Sequence, residues 1–147
     1  MLRLSIATAI IYSLIFVFIT PIVSAESPYI NGSVWGISLI QTEANMQEQY
    51  IKDLQGAWKK VMDAALEEGL ILSYKVFVGG AANPDDWDVM LMVEFKNYAA
   101  LDGLDEKFTT IVERVIGAED EQIKMTLERG DIREIFGDKL MQEITIK

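Results

Sequence analysis

ILSYKVFVGGAANPDDWDVMLMVEF, residues 71–95, contains two apolar segments on either side of a loop rich in turn-forming residues. Both segments, residues 71–78 and 87–95, alternate their side chains with the two-residue period of a β-strand. The loop of about eight residues is too short for a crossover between parallel strands. We therefore expect the two strands to pair as an antiparallel hairpin.

A strand and a helix are predicted on the N-terminal side of this hairpin. Residues 34–42 (VWGISLIQT) are rich in β-branched and aromatic side chains, which favour a strand. Thr42 is expected to cap the helix that follows, and Gly69 is expected to end it. The helix is indicated by an apolar stripe at spacings of three to four residues, formed by Tyr50, Leu54, Trp58, Val61 and Ala65.

The C-terminal side of the hairpin completes a recognisable order of elements. Helical patterns run from residue 97 to about 116 and then to about Gly130, and residues 138–147 (DKLMQEITIK) predict a last strand. The order β-α-β-β-α-β predicts an α+β, ferredoxin-like fold. This fold has a four-stranded antiparallel sheet with helices on one face.

Residues 1–25 have the layout of a secretory signal peptide. Arg3 precedes an apolar run over residues 4–19, and Val-Ser-Ala at residues 23–25 provides small side chains for a signal peptidase. We expect cleavage after this segment and export to the periplasm or the extracellular space, with no membrane attachment afterwards. A retained membrane anchor through residues 4–23 is the alternative.

The exported chain is predicted to be one domain. Residues 26–33 read as a short leader with an Asn-Gly turn, and residues 34–147 read as a single ferredoxin-like domain. The chain has no cysteine, so disulfide bonds cannot stabilise it. A hydrophobic core or an interface between copies must supply the stability.

The composition excludes several classes of function. The net charge of −10 becomes −11 without residues 1–25, which argues against nucleic-acid binding. With neither cysteine nor histidine, the chain cannot form Cys/His zinc sites, thiol nucleophiles or a Ser-His-Asp triad. The acidic residues 85–88 (DDWD) lack the spacing of a calcium loop. We therefore expect no cofactor, no metal ion and no catalytic residue.

The two faces of the predicted sheet differ in character, because successive side chains in a strand point to opposite sides. The face assigned to the helices is almost wholly apolar: Trp35, Ile37, Leu39, Leu72, Tyr74, Val76, Val78, Trp87, Val89, Leu91, Val93, Phe95, Leu140, Ile144 and Ile146. The opposite, open face is predicted to mix apolar and polar side chains: Ser38, Ile40, Ser73, Lys75, Phe77, Asp88, Met90, Met92, Glu94, Met141, Glu143 and Thr145. Such a mixed face is typical of a surface covered by a partner or a ligand.

One lysine on the open face has acidic neighbours. Depending on the register of the hairpin, Lys75 pairs with Met90 or Met92, and either Asp88 or Glu94 then lies diagonally within its reach. This neighbourhood is interpreted either as a poised lysine in a half-buried pocket or as an ion pair inside a dimer interface.

The chain resembles the dimeric α+β barrel superfamily, and within it small uncharacterised exported bacterial proteins. The resemblance rests on the element order and on residues 74–77 (YKVF), 85–88 (DDWD) and 133–137 (REIFG). It implies a homodimer in which two ferredoxin-like subunits pack their open faces into a barrel. The superfamily includes cofactor-free monooxygenases, haem enzymes, isomerases and binding proteins, so the fold alone selects no activity. The members of the superfamily that use histidine as a base or a haem ligand are poor models for this chain, which has no histidine.

Three functions are compatible with the sequence. The first is a non-catalytic dimer that binds a small apolar or amphipathic molecule in the barrel. Its candidate ligand-binding residues are Ser38, Ile40, Ser73, Lys75, Phe77, Met90, Met92, Glu94 and Met141. The second is a cofactor-independent monooxygenase or isomerase that uses Lys75 or Glu94 to move protons. The third is a structural domain that docks onto a partner in the cell envelope.

Overall fold

The computed structural model describes residues 26–147, so the predicted signal peptide at residues 1–25 lies outside the described residues. Its four strands are β1 (Tyr29–Thr42), β2 (Ser73–Val78), β3 (Val89–Phe95) and β4 (Arg133–Ile146). They form one sheet in the order β2-β3-β1-β4, with every neighbouring pair antiparallel. The predicted α+β, ferredoxin-like arrangement is confirmed by this order.

Helices connect the strands and cover one face of the sheet. The first connection is a continuous helical run in which α1 (Gln47–Asp53) passes through a π-helical segment (Leu54–Trp58) into α2 (Lys59–Glu67). The second connection contains a short 3₁₀ turn (Tyr98–Leu101), α3 (Leu104–Ile116) and α4 (Glu119–Gly130). Gly69 and Gly117 both have positive φ angles just after a helix, a conformation that glycine adopts without steric cost.

The π-helical segment follows from the spacing of the apolar residues. Tyr50, Leu54, Trp58 and Met62 are each four residues apart. In an ideal α-helix four residues turn roughly 40° more than one full turn, so this set would drift off the buried face. A wider π turn absorbs that drift. As a result Tyr50, Leu54 and Met62 are all buried against the sheet.

The core consists of two adjoining clusters between the helices and the sheet. The first contains Val34, Val61, Met62, Ala65, Ile71, Phe95 and Ile111, and the second contains Ile40, Tyr50, Leu54, Val89 and Leu91. Trp58 packs against both clusters and meets Tyr74 edge-to-face, with 5.3 Å between ring centroids. The face opposite these clusters carries no helix within residues 26–147.

The predicted starts of β1 and β4 both differ from the structure, and backbone pairing explains each difference. Residues 29–33, expected in a leader, are the first part of β1 and pair with the end of β4 through Tyr29 and Asn31. The last strand begins at Arg133 rather than at residue 138, because Arg133 pairs with Thr42. Two irregularities in the register between β1 and β4 let these long strands stay paired through local twist.

The predicted capping role of Thr42 is wrong. Thr42 is the last residue of β1, and its hydroxyl donates a hydrogen bond to Asp88. The helix begins later, at Gln47, and the side chain of the preceding Met46 makes no capping hydrogen bond.

Within residues 26–147, no helix combines the length and the apolar character required to cross a lipid bilayer.

Candidate functional site: the open face of the sheet

The register of the hairpin places most of the predicted site residues together. Lys75 pairs with Met92, Phe77 with Met90 and Ser73 with Glu94, so these side chains share one face of the sheet. Met141 of β4 joins them through Trp35 of β1, which pairs with both Met141 and Glu94. The prediction that these residues lie on the open face is confirmed, while their role in ligand binding stays a prediction.

The predicted positions of Ser38 and Ile40 on the open face are wrong. Ile40 pairs with Val89, is 2% exposed and belongs to the second core cluster. Ser38 pairs with Leu91 on the same helix-covered face, and its hydroxyl donates a hydrogen bond to the Asp138 carboxylate. Both residues are therefore removed from the candidate site.

The physical reason for this error is that β1 is apolar on both of its faces. Alternation alone cannot say which face of such a central strand meets the helices. The helix-covered face contains Gly36, where a Cβ atom would lie only 3.2 Å from Cε2 of Phe95. Gly36 thus gives Phe95 room to pack across β1. A strand that is apolar on both faces is typical of a strand buried on both sides, and this pattern could have been recognised in the sequence of β1.

The open face is consequently more apolar than predicted. Trp35, Ile37 and Leu39 lie on it, because they pair with Glu94, Met92 and Met90. The whole apolar set, which we call the open apolar surface, consists of Trp35, Ile37, Leu39, Phe77, Met90, Met92 and Met141. Phe77 is 49% exposed and Met141 51% exposed. A contiguous exposed surface of this kind is typical of an interaction site.

A group of polar contacts lies at one end of the open apolar surface, around the indole of Trp35. The ammonium nitrogen of Lys75 lies 4.7 Å from the centre of the Trp35 ring, within the range of a cation–π interaction. The indole Nε1 donates a hydrogen bond of 3.3 Å to Oε2 of Glu143. These contacts hold the indole in a defined position at the edge of the apolar surface.

Glu94 is the acid that lies diagonally across from Lys75, since Lys75 pairs with Met92. Ser73 donates a hydrogen bond of 2.6 Å to Oε2 of Glu94. This hydrogen bond is the largest cause of the lowered pKa of Glu94, and the positive charge of Lys75 lowers it further. The nearby Ser33 hydroxyl donates its own hydrogen bond to Oε2 of Glu143, at 3.3 Å. Glu94 is therefore a carboxylate at neutral pH and a weak proton acceptor.

Asp88, the other acid considered near Lys75, does not contribute to the open face. It precedes β3, and its carboxylate accepts hydrogen bonds from the backbone N–H of Thr42 at 2.9 Å and from Nε2 of Gln47 at 2.9 Å. Asp88 thereby ties the end of β1 to the start of α1.

The loop that connects β2 and β3 forms its own hydrogen bonds. Oδ2 of Asp86 accepts a bond from the N–H of Ala82, and the side chain of Asn83 accepts one from the N–H of Asp85, each at 2.9 Å. Across the part of the chain that the structure describes, no group of three or more acidic residues is placed to hold a metal ion.

Comparison with known proteins finds similar chains among solved structures only. The sequence matches no known family, and it matches no curated protein. Among solved structures, the chain is similar to HapK from Hahella chejuensis, with 11% identity, a TM-score of 0.44 and coverage of 75% of this chain and 91% of that one. It is also similar to a dimeric ferredoxin-like protein from an uncultured marine organism, with 11% identity, a TM-score of 0.45 and coverage of 78% and 94%.

A third similar structure is a dimeric protein of unknown function and ferredoxin-like fold from Bacteroides fragilis. It has 14% identity and a TM-score of 0.39, and the match covers 79% of this chain and 97% of that one. The dimeric state is a property of the marine protein and the Bacteroides fragilis protein.

Proposed function

We propose that this protein is a non-catalytic homodimer, assembled through the open face, that holds a small apolar or amphipathic molecule between its two sheets. The observation that carries the proposal is the open apolar surface. Its side chains lie opposite a complete core and contact no helix of their own chain within residues 26–147. Removing such a surface from water is favourable, at about 25 cal/mol per Å² of apolar area.

A second copy of the chain suits the charges around this surface. Lys75 and Lys139 lie on the open face together with Glu94 and Glu143. In a two-fold symmetric interface the same patch meets itself, so the lysines of one copy can face the acids of the other. A face with one sign of charge would repel its own copy, whereas this mixture is self-complementary.

The proposed ligand site is the part of the open apolar surface next to the polar end. Phe77, Met90, Met92 and Met141 would form its apolar lining, and methionine side chains adapt readily to irregular ligands. Ser73, Lys75 and Glu94 would contact a polar group of the ligand. This combination of an apolar lining and a few polar groups at one end is typical of small-molecule sites.

The dimer is tested by placing a charge at the centre of the surface. Met92 pairs with both Ile37 and Lys75, so Met92→Glu would bury a carboxylate in the interface. We expect analytical ultracentrifugation to show a dimer for the unmodified chain and a monomer for M92E, with the same circular dichroism spectrum. Met46→Glu is the matched control, because Met46 is 40% exposed beside α1 and should leave the dimer intact. A monomeric unmodified chain at micromolar concentrations would contradict the proposal.

The ligand is tested by native mass spectrometry of the protein purified from its own host. The proposal expects the mass of two chains plus a retained small molecule, and expects M92E to lose that molecule. A dimer without additional mass, with a barrel interior filled by side chains, would support a structural or partner-docking domain of the cell envelope instead.

Catalysis by Lys75 or Glu94, as in a monooxygenase or isomerase, has weaker support. Lys75 already lies over the Trp35 ring, and the hydrogen bond from Ser73 lowers the pKa of Glu94 and so weakens it as a base.

We further propose that the protein is exported after cleavage of residues 1–25. The support is the sequence pattern of a charged start, an apolar middle and a small-residue end. N-terminal sequencing of the protein from its host is expected to begin at Glu26. A chain that begins at Met1 would instead support the membrane anchor.

A further inference from the structure

A groove in the helical layer lies on the side of the molecule away from the open face. It has a volume of about 200 Å³ and lies between the π-helical segment, α3 and α4. Its main lining residues are Ala57, Trp58, Val61, Val112, Met125 and Arg129. A separate depression of about 270 Å³ adjoins it and shares Ala57, Met125 and Arg129. This neighbouring depression is charged, because Lys52, Asp53 and Glu128 also line it.

The π-helical segment forms one wall of this groove. The segment places the small residue Ala57 in that wall, and the adjacent Gly56 lines the neighbouring depression, where an added Cβ atom would meet nothing within 4 Å. On the opposite wall, α4 has no buried residue along its length. A π turn inside an α-helix occurs often at functional sites. The groove is thus open because of small side chains on one wall and a loosely packed helix on the other.

The charge in the groove is unusual for this protein. The chain has a net charge of −10, yet Arg129 is the sole charged residue that lines the 200 Å³ groove. Its Nε donates a hydrogen bond of 3.1 Å to the backbone oxygen of Met125. Within residues 26–147 no carboxylate lies within 4.0 Å of its guanidinium group. The terminal N–H groups of Arg129 are therefore available to an anion, and a guanidinium binds a carboxylate with two parallel hydrogen bonds.

We infer that this groove binds a small amphipathic monocarboxylate, with its carboxylate on Arg129 and its apolar tail against Trp58, Val61 and Val112. The groove is smaller than the 300–1,000 Å³ of sites for drug-sized molecules, which favours a short acyl chain or a single aromatic ring. The 200 Å³ groove offers no second cation to pair with the other charge of a dianion, so a monocarboxylate fits it better. This site is separate from the one between the sheets, since no lining residue is shared.

Fluorine NMR of the whole chain, labelled with 5-fluorotryptophan, tests the inference with octanoate as the probe. The three tryptophans report different regions: Trp58 lies in the groove and Trp35 on the open face, while Trp87 lies in the loop before β3. Single Trp→Phe variants assign the three signals. We expect octanoate, below its micellar concentration, to shift the Trp58 signal, and a shift of Trp35 in addition would report the separate site between the sheets. A shift confined to Trp35 would place octanoate between the sheets and overturn the inference.

Two variants test the role of the charge. Arg129→Gln is expected to weaken octanoate binding by about 10-fold or more, because a charged hydrogen-bonding pair is lost. Lys124→Gln is the matched control, since Lys124 is on the same helix but does not line the groove. Uncharged octanol should bind the unmodified chain more weakly than octanoate does. Equal affinity for octanol and octanoate, or an unchanged affinity in R129Q, would contradict the assignment of a carboxylate to this site.

Discussion

The two faces of β1 are both apolar, yet they are covered in different ways. Val34 and Ile40 point into the helical layer and are 0% and 2% exposed, whereas their neighbours Trp35 and Leu39 point to the open face and remain partly exposed. The first face is buried by the chain itself, so its contribution to stability does not depend on concentration. In the proposed dimer the second face is buried by a second copy of the chain. Its contribution to stability therefore grows with protein concentration.

The largest expected effect tests this difference directly with two adjacent residues. Ile40→Ala should lower the free energy of unfolding by about 2–5 kcal/mol, because it leaves a cavity in the core. This loss should be the same at every protein concentration. Leu39→Ala should have a small effect in dilute protein and a larger one in concentrated protein. Urea unfolding at about 1 µM and about 100 µM measures both variants.

An equal loss for Leu39→Ala at both concentrations would show that the two faces are not covered differently. That result would also remove the main support for the dimer.

The next effect concerns the space beneath Phe95. Gly36→Ala adds a Cβ atom 3.2 Å from Cε2 of Phe95 and should destabilise the fold by about 1–3 kcal/mol through overpacking. Gly137→Ala is the matched control on the open face, where a Cβ atom would meet nothing within 4 Å. Thermal unfolding of both variants measures the difference. A stable G36A would mean that Phe95 has room to move and that the covered face of β1 is loosely packed.

A smaller effect is expected at the polar end of the open face. Lys75→Met removes the cation above the Trp35 ring and should cost about 0.5–1 kcal/mol. It should also change the fluorescence of Trp35, which is read out after Trp58 and Trp87 are replaced by phenylalanine. Lys139→Met changes the charge of the same face by the same amount, and should leave the emission of Trp35 unchanged.

The smallest effect is the pH dependence that Glu94 gives to the stability of the fold. Its pKa is lowered below the ordinary value of 4.5, mainly by the hydrogen bond from Ser73. The ionised form therefore contributes stability above pH 4.5, and this contribution is lost as the pH falls through the lowered pKa. Ser73→Ala should raise the pKa of Glu94 and lower stability at neutral pH by about 1 kcal/mol or less. The two proteins should converge in acid. A difference that persists below the pKa would assign the effect of S73A to packing.

Much of the fold could be predicted because the hairpin and its flanking elements have clear periods. The faces of β2 and β3 were predicted correctly, since each of these strands carries polar side chains such as Lys75 or Glu94 on one side. The faces of β4 were also predicted correctly, although this strand carries polar side chains on both sides. For β1 the same rule failed by one residue. Its more bulky set, Trp35, Ile37 and Leu39, was assigned to the helix-covered face. That face instead carries Gly36 and Ser38, and the Phe95 ring occupies the space beside Gly36.

The strand that begins at Tyr29 was missed for a different reason. Asn31 and Gly32 form a turn signal in isolation. In the structure Gly32 lies against β4, where an added Cβ atom would be 3.2 Å from Cβ of Glu143. A glycine that marks a turn and a glycine that marks a close approach between strands look alike in sequence. The groove beside Arg129 depends on the packing between separate helices, which no local pattern reports.

The π turn at Leu54–Trp58 has a consequence for how this architecture tolerates change in chain length. Inserting one residue into an α-helix rotates everything after it by about 100°, which would move the second half of the helix off its core. A wider turn confines that rotation to a few residues, so that Tyr50 and Val61 both stay buried. Insertion or loss of a residue near Gly56 can therefore reshape the wall of the groove while the sheet and its pairing stay as they are. The helical layer is the side of this protein on which new binding properties can arise without rebuilding the fold.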